Sequence, residues 1–293
     1  MTGSLSPEQT AGYDRDGHVF PIQVMGPERA RHYRQTIETL ERDYPAGSLP
    51  RDISHYFRVS AHLVVPMMAE IAQEPAVLDA VESVLGHDLF VWSSELFMKE
   101  AGSDKIVSWH QDLTYWGFGG IDDQVTAWIA LSDVTPQSGC MRFVPGSHKR
   151  EIVPHKDTFA DDNMLSRGQE IAVDVNEDEA VDIVLKPGQM SLHHGRIFHA
   201  SGPNRSVDRR IGVAIRYMTP GVHRLVGERD YAMLARGCDR KRNWINFAAP
   251  RENFAPADLA FYEQVLAERA KALAAGAGES VTMYETDQRV VPV

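Results

Sequence analysis

Hydrophobic and polar positions follow two different periods along this chain, and the change between them divides it. Ser6-Pro7-Glu8-Gln9 reads as a helix start, with Ser6 as N-cap, proline at the first helical position and Gln9 as the capping-box partner. Gly17 ends that helix, and His18 to Val24 reads as a strand. Pro27 opens a second helix to about Asp43, with Ala30, Tyr33, Ile37 and Leu40 at helical spacing. Residues 45–60, punctuated by Pro45, Gly47 and Pro50, read as a loop, and helical patterning returns at 67–72 and from Pro75 to Leu85.

From Leu89 the pattern becomes strand-like. Segments 89–98 and 125–131 are clear strands, and shorter ones follow at 141–144, 170–175, 180–185, 190–194 and 211–218. Turn signals separate them: Gln137-Ser-Gly139, Pro145-Gly146, Lys186-Pro-Gly188 and Gly202-Pro-Asn204. Many short strands with regular turns predict a mainly β protein with flanking helices, a sandwich or jelly roll rather than a parallel α/β sheet. After Gly221 the chain is expected to turn helical or irregular, with a helix over about 254–275 and a tail from Glu279. No linker or repeat interrupts the sequence. The expectation is one domain over 1–293, a β core at about 88–220 and helical flanks at 1–87 and 221–293.

Composition adds exclusions. A formal charge of −11 with no basic block argues against nucleic acid or an anionic membrane as partner and leaves a small-molecule substrate. It says nothing of oligomeric state. Two distant cysteines, Cys140 and Cys238, predict reduced thiols in a cytoplasmic protein, and no signal peptide or membrane-spanning run is visible. The chemistry is expected around Trp109-His110-Gln111-Asp112. A histidine and an aspartate two apart on an extended segment would share one face, supplying two parts of a 2-His-1-carboxylate site. Candidates for the second histidine are His148, His155, His193, His194 and His199; His155 reads as surface and His148 as a turn residue. Arg210 heads the apolar strand that follows, and a buried arginine needs a carboxylate, which a dicarboxylate cosubstrate would provide.

These blocks resemble the phytanoyl-CoA dioxygenase (PhyH) family of Fe(II)/2-oxoglutarate-dependent oxygenases. The matching stretches are Trp109-His-Gln-Asp112, Val125-Thr-Ala-Trp-Ile-Ala-Leu131, Ser138-Gly-Cys-Met-Arg-Phe-Val-Pro-Gly-Ser-His148, Pro187-Gly-Gln189 and His199-Ala-Ser-Gly-Pro-Asn-Arg-Ser206, followed by Arg210. They occur in the family's order between about residues 5 and 220. The resemblance implies a double-stranded β-helix (jelly roll, cupin-like) and makes His110, Asp112 and His199 the iron ligands and catalytic centre. It places Arg210, Ser201, Trp128 and Lys99 around 2-oxoglutarate, and gives His194 a supporting position. Fe(II), 2-oxoglutarate and O2 are the implied cofactor and cosubstrates, with succinate and CO2 released.

Asp112 bears on the reaction, because halogenases related to this family lack the carboxylate; its presence points to a hydroxylase. Trp109, Tyr115, Trp116 and Phe118 are expected to wall the substrate pocket. Arg58, Arg142 and Arg216 are possible partners of an anionic group, though ordinary surface pairing explains each as well. No cationic cluster suggests CoA, so a small polar metabolite is expected. Two rival readings stay open: a jelly-roll metal-binding protein without redox turnover, and a zinc hydrolase using the same ligands.

Overall fold

The N-terminal helix forms where its capping signals lie. In the computed structural model, which describes residues 4–115, 118–119, 122–157, 163–165, 169–225 and 229–276, helix α1 spans Pro7–Asp16. Ser6 Oγ accepts from the Gln9 N–H, and Gln9 Oε1 accepts from the Ser6 N–H. Gly17 closes the helix at φ 79°, against the ring of His148, where a Cβ would collide. Helices α2 (Pro27–Asp43), α3 (Ile53–Arg58), α4 (Pro66–Ala72) and α5 (Pro75–Leu85) follow, with α3 inside the expected 45–60 loop. The buried face of α2 is Ala30, Tyr33, Ile37 and Leu40, as the spacing predicts.

The strands of the two main sheets are β1 (His18–Gln23), β2 (Leu89–Lys99), β3 (Val107–His110), β4 (Gln124–Ala130), β5 (Met141–Phe143), β6 (Val181–Ile183), β7 (Gln189–His194), β8 (His199–Ser201), β9 (Arg210–Met218), β10 (Tyr231–Arg236) and β11 (Ile245–Asn246). The major sheet runs β1-β7-β4-β9-β2-β10-β11 and the minor sheet β3-β8-β5-β6. All pairings are antiparallel except β10 with β11. Together they form the expected double-stranded β-helix.

Strands β4 and β9 are buried on both faces, which divides their residues by period 2. Val125, Ala127, Ile129, Val213 and Ile215 pack beneath the helices in the main apolar cluster. Trp128, Ala130 and Ala214 face the other way, against Met141, Phe143 and Ile183 of the minor sheet. Strands also extend the sheet beyond 88–220, where helical flanks are expected. Strand β10 escapes sequence reading because Tyr231 and Met233 pack in the main cluster while Ala232 and Leu234 pack in a second one. With both faces covered, no polar alternation marks it.

The last helix, α6 (Pro256–Gly276), is pinned to the sheet by a charged residue. Arg269 is buried and donates to Asp230, Ser60 Oγ and the carbonyls of Trp92 and Tyr231. Asp230 also accepts from Trp92 Nε1 and pairs with Arg224.

Candidate active site

A cavity opens between the two sheets. Its floor is the inward face of β2, β4, β7 and β9, laid out by strand register. Arg210 lies opposite Lys99; Gly212 opposite Ala130 and Phe97; Ala214 opposite Trp128 and Glu95; Arg216 opposite Thr126 and Ser93; and His193 opposite Thr126. Small residues in the middle rows leave space, and charged residues stand at the two ends.

The minor sheet supplies the opposing wall. His110 and His199 are register partners on β3 and β8. Asp112 is not on the strand: β3 stops at His110, and Asp112 opens a 3-10 turn over Asp112–Tyr115. The shared face expected from strand alternation is replaced by a turn that brings the carboxylate back to the same spot. Gln111 holds that turn, its amide donating to Arg196 O at 2.9 Å and accepting from Val153 N–H at 2.9 Å. The Gln111 N–H donates to Nε2 of His155, which is half-buried rather than a surface residue.

Ligand atoms of His110, Asp112 and His199 all lie within 4.8 Å of one another, and all three residues are buried. His110 Nδ1 meets Ser108 O at 2.9 Å and His199 Nδ1 meets Ile197 O at 3.0 Å. A carbonyl can only accept, so each Nδ1 carries a proton, and each Nε2 is the ring nitrogen turned to the cluster. Burial, with His110 adding to it, pushes His199 down to about 3, so it is neutral. Burial alone would raise the carboxyl of Asp112, but the Arg216 guanidinium, with the His110 contact, outweighs it and holds the group well below the usual carboxylate range. This donor set, two imidazoles and one carboxylate, fits a divalent ion with open positions.

At the other end, Lys99 and Arg210 are each 1% exposed, and no carboxylate bonds to either among the described residues. Arg210 Nη1 donates to Gly139 O at 2.7 Å, its guanidinium lies 5.4 Å from the Trp128 ring centroid, and its Nε has no partner. Lys99 Nζ donates to Ser201 Oγ at 2.7 Å and to the carbonyls of Ser201 and Gly202. Burial, then the proximity of Arg210, pushes Lys99 down to about 6; burial pushes Arg210 down to about 10. Burial and Arg210 thus favour the neutral amine of Lys99 in the free protein, and an anion placed between the two side chains would restore the ammonium form. Gly212 sits under Trp128, and a Cβ there would run into the indole ring. Gly212→Ala is therefore expected to cost about 1–3 kcal/mol by overpacking and to displace the ring over the two side chains. Thermal unfolding together with 2-oxoglutarate titration would register both effects.

The cavity gathers most of the sequence candidates but not Trp109 or Phe118. Trp109 points out of the opposite face of β3, packing against Val144, Ile171 and Phe198 with Arg142 over its ring at 5.7 Å. Phe118 belongs to a separate cluster with Trp92 and Trp244. Trp116 and the side chain of Tyr115 lie outside the described residues. The hydrophobic walls are instead Phe97, Trp128, Met141 and Leu165. His194 turns away to Asp122 at 3.2 Å, and it is His193 that faces the centre, 4.0 Å from Asp112. Cys140 is buried in the inter-sheet core, where burial pushes its thiol up to about 11. Sequence reasoning missed Phe97 and Thr126, although each stands two residues from a candidate, Lys99 and Trp128, and so shares its face; His193 was one of the five candidates for the second histidine.

Comparison with known proteins agrees with this geometry. The family profile described as Phytanoyl-CoA dioxygenase (PhyH) matches residues 13–212. L-proline trans-4-hydroxylase of Streptomyces griseoviridis is 27% identical over 225 residues, covering 70% of this chain and 83% of the relative. The apo structure of the non-heme monooxygenase ThoJ is 34% identical, with TM-score 0.79, 91% of this chain covered and 97% of ThoJ. CytC3 with Fe(II) and alpha-ketoglutarate is 25% identical, with TM-score 0.62 and coverage of 87% and 98%.

Proposed function

We infer that this chain, which belongs to the phytanoyl-CoA dioxygenase family of Fe(II)/2-oxoglutarate-dependent oxygenases, hydroxylates a small polar metabolite and releases succinate and CO2. The carrying observation is the pairing of the His110–Asp112–His199 cluster with a buried arginine and a buried lysine to which no carboxylate bonds among the described residues, inside one fold. In this reading His110, Asp112 and His199 hold Fe(II), and Arg210 takes the distal carboxylate of 2-oxoglutarate. Lys99 and Ser201 complete that contact and Trp128 covers it. The bound iron supplies activation of O2 coupled to oxidative decarboxylation of 2-oxoglutarate, ending in oxidation of a substrate C–H bond.

The residues of the chain do the remaining work. Both imidazoles are oriented by backbone carbonyls, which turns each Nε2 towards the cluster. The apolar walls at Phe97, Met141 and Leu165 exclude water from the reacting centre and shape the substrate end. Arg142 is occupied by Glu177 and Asp182, and Arg216 by Glu95. Arg58 stacks over Phe97 at 5.3 Å and donates to Met164 O; with no carboxylate bonded to it among the described residues, it supports a substrate carrying an anionic group. The retention of Asp112 supports hydroxylation over halogenation.

Anaerobic addition of Fe(II) and 2-oxoglutarate is expected to give a weak visible charge-transfer band. A metabolite screen followed by succinate release then finds the substrate. No band, with tight zinc binding and hydrolytic turnover, would instead select the hydrolase reading. None of the helices among the described residues is long and apolar enough to cross a membrane.

A further inference from the structure

We propose that Arg216, fixed by Glu95, is a positioning residue that holds the outer oxygen of Asp112, so that Asp112 offers a metal one oxygen only. The proposal rests on His110, Asp112 and His199 being the metal ligands. The two carboxylate oxygens have different neighbours. Oδ1 faces the histidines, 3.4 Å from His110 Nε2 and 3.8 Å from His199 Nε2. Oδ2 faces the floor, where Thr126 Oγ1 donates to it at 3.3 Å and Arg216 Nη2 and His193 Nε2 each stand 4.0 Å away.

That floor contact is built by the sheet. Arg216 and His193 are both register partners of Thr126, so the three side chains form one row across β9, β4 and β7. Arg216 is held from behind by Glu95 Oε2 at 2.9 Å, with both side chains 10% exposed. Glu95 accepts from Ser93 Oγ at 3.1 Å, Ser93 and Ser60 hydroxyls meet at 3.3 Å, and Arg269 of α6 donates to Ser60 Oγ at 2.7 Å. The clamp is thus anchored through a buried polar chain that ends at Asp230.

A buried ion pair is weak support for stability, so this one suits a different use. A carboxylate beside a divalent ion can bind through one oxygen or both. If Oδ2 also swung to the metal, it would take a position that the cosubstrates need. Thr126 donates to Oδ2 and the Arg216 guanidinium stands beside it, which leaves Oδ1, turned to the two histidines, as the oxygen that would meet a metal.

The test is anaerobic titration with Fe(II) and then 2-oxoglutarate, read by dissociation constant and charge-transfer band, beside thermal unfolding of the metal-free protein. Arg216→Met strands Glu95 as a buried charge and is expected to lose both stability and metal affinity. In the double variant Glu95→Gln/Arg216→Met that charge is gone, so the unfolding temperature should recover while Fe(II) binding stays about 10- to 100-fold weaker. Arg216→Lys keeps the charge but not the planar fork, and is expected to fold normally with part of the affinity lost. Recovery of Fe(II) and 2-oxoglutarate affinity together with stability in the double variant would overturn the proposal, leaving Arg216 a partner of Glu95 alone. A wild-type protein that binds Fe(II) no better than His199→Ala would overturn the ligand assignment itself.

Discussion

Replacing Asp112 with alanine is expected to abolish substrate-dependent succinate release. The variant keeps the two imidazoles and loses the carboxylate of the ligand cluster. Divalent-ion affinity then depends on nitrogen donors alone, and the charge that offsets the metal is gone. The fold should survive the change. Arg216 retains Glu95 at 2.9 Å, so no cation is stranded, and the turn stays anchored by Gln111. An unchanged unfolding temperature with succinate formation at background is the expected pair of results. A variant that hydroxylates at the wild-type rate would mean that the metal, if any, sits elsewhere.

The same residue shows how far sequence reading reached. The spacing of His110 and Asp112 pointed to a shared site, yet the strand ends between them and a turn does the work. Such a turn leaves little trace in sequence because its stabilising bonds come from Gln111 to Val153 and Arg196, distant in the chain. Helix α5 was legible to the residue because Pro75 and Gly86 punctuate it. Trp109 was misplaced by proximity: it neighbours His110, and neighbours on a strand face opposite ways. Phe118, a few residues beyond Asp112, was likewise drawn into a separate aromatic cluster with Trp92 and Trp244. The alternation rule applied strictly to β2 and β4 would have replaced these aromatics with Phe97 and Thr126. His193 and His194 differ by one position, so only the register of β7 against β4 decides which faces the centre.

The buried Arg210 and Lys99 give the second large effect. Arg210→Met is expected to weaken 2-oxoglutarate binding by about 2–5 kcal/mol, roughly 30-fold or more, because it removes the partner of a buried carboxylate. Lys99 adds a signature that does not depend on turnover. Burial and Arg210 push it down to about 6, whereas an unfolded chain keeps a lysine protonated to about pH 10. Between those values the unfolded state binds the extra proton, so stability of the free protein should rise with pH across that window and level off above it. A bound dianion reverses the balance at Lys99 by favouring the ammonium form. 2-Oxoglutarate binding near pH 8 should therefore take up close to one proton, seen as calorimetric heats that differ between buffers of different ionisation enthalpy. Lys99→Met should remove that buffer dependence, while Arg210→Met should weaken binding without removing it. Identical heats in all buffers for the wild-type protein would show that Lys99 does not change its charge beside the cosubstrate.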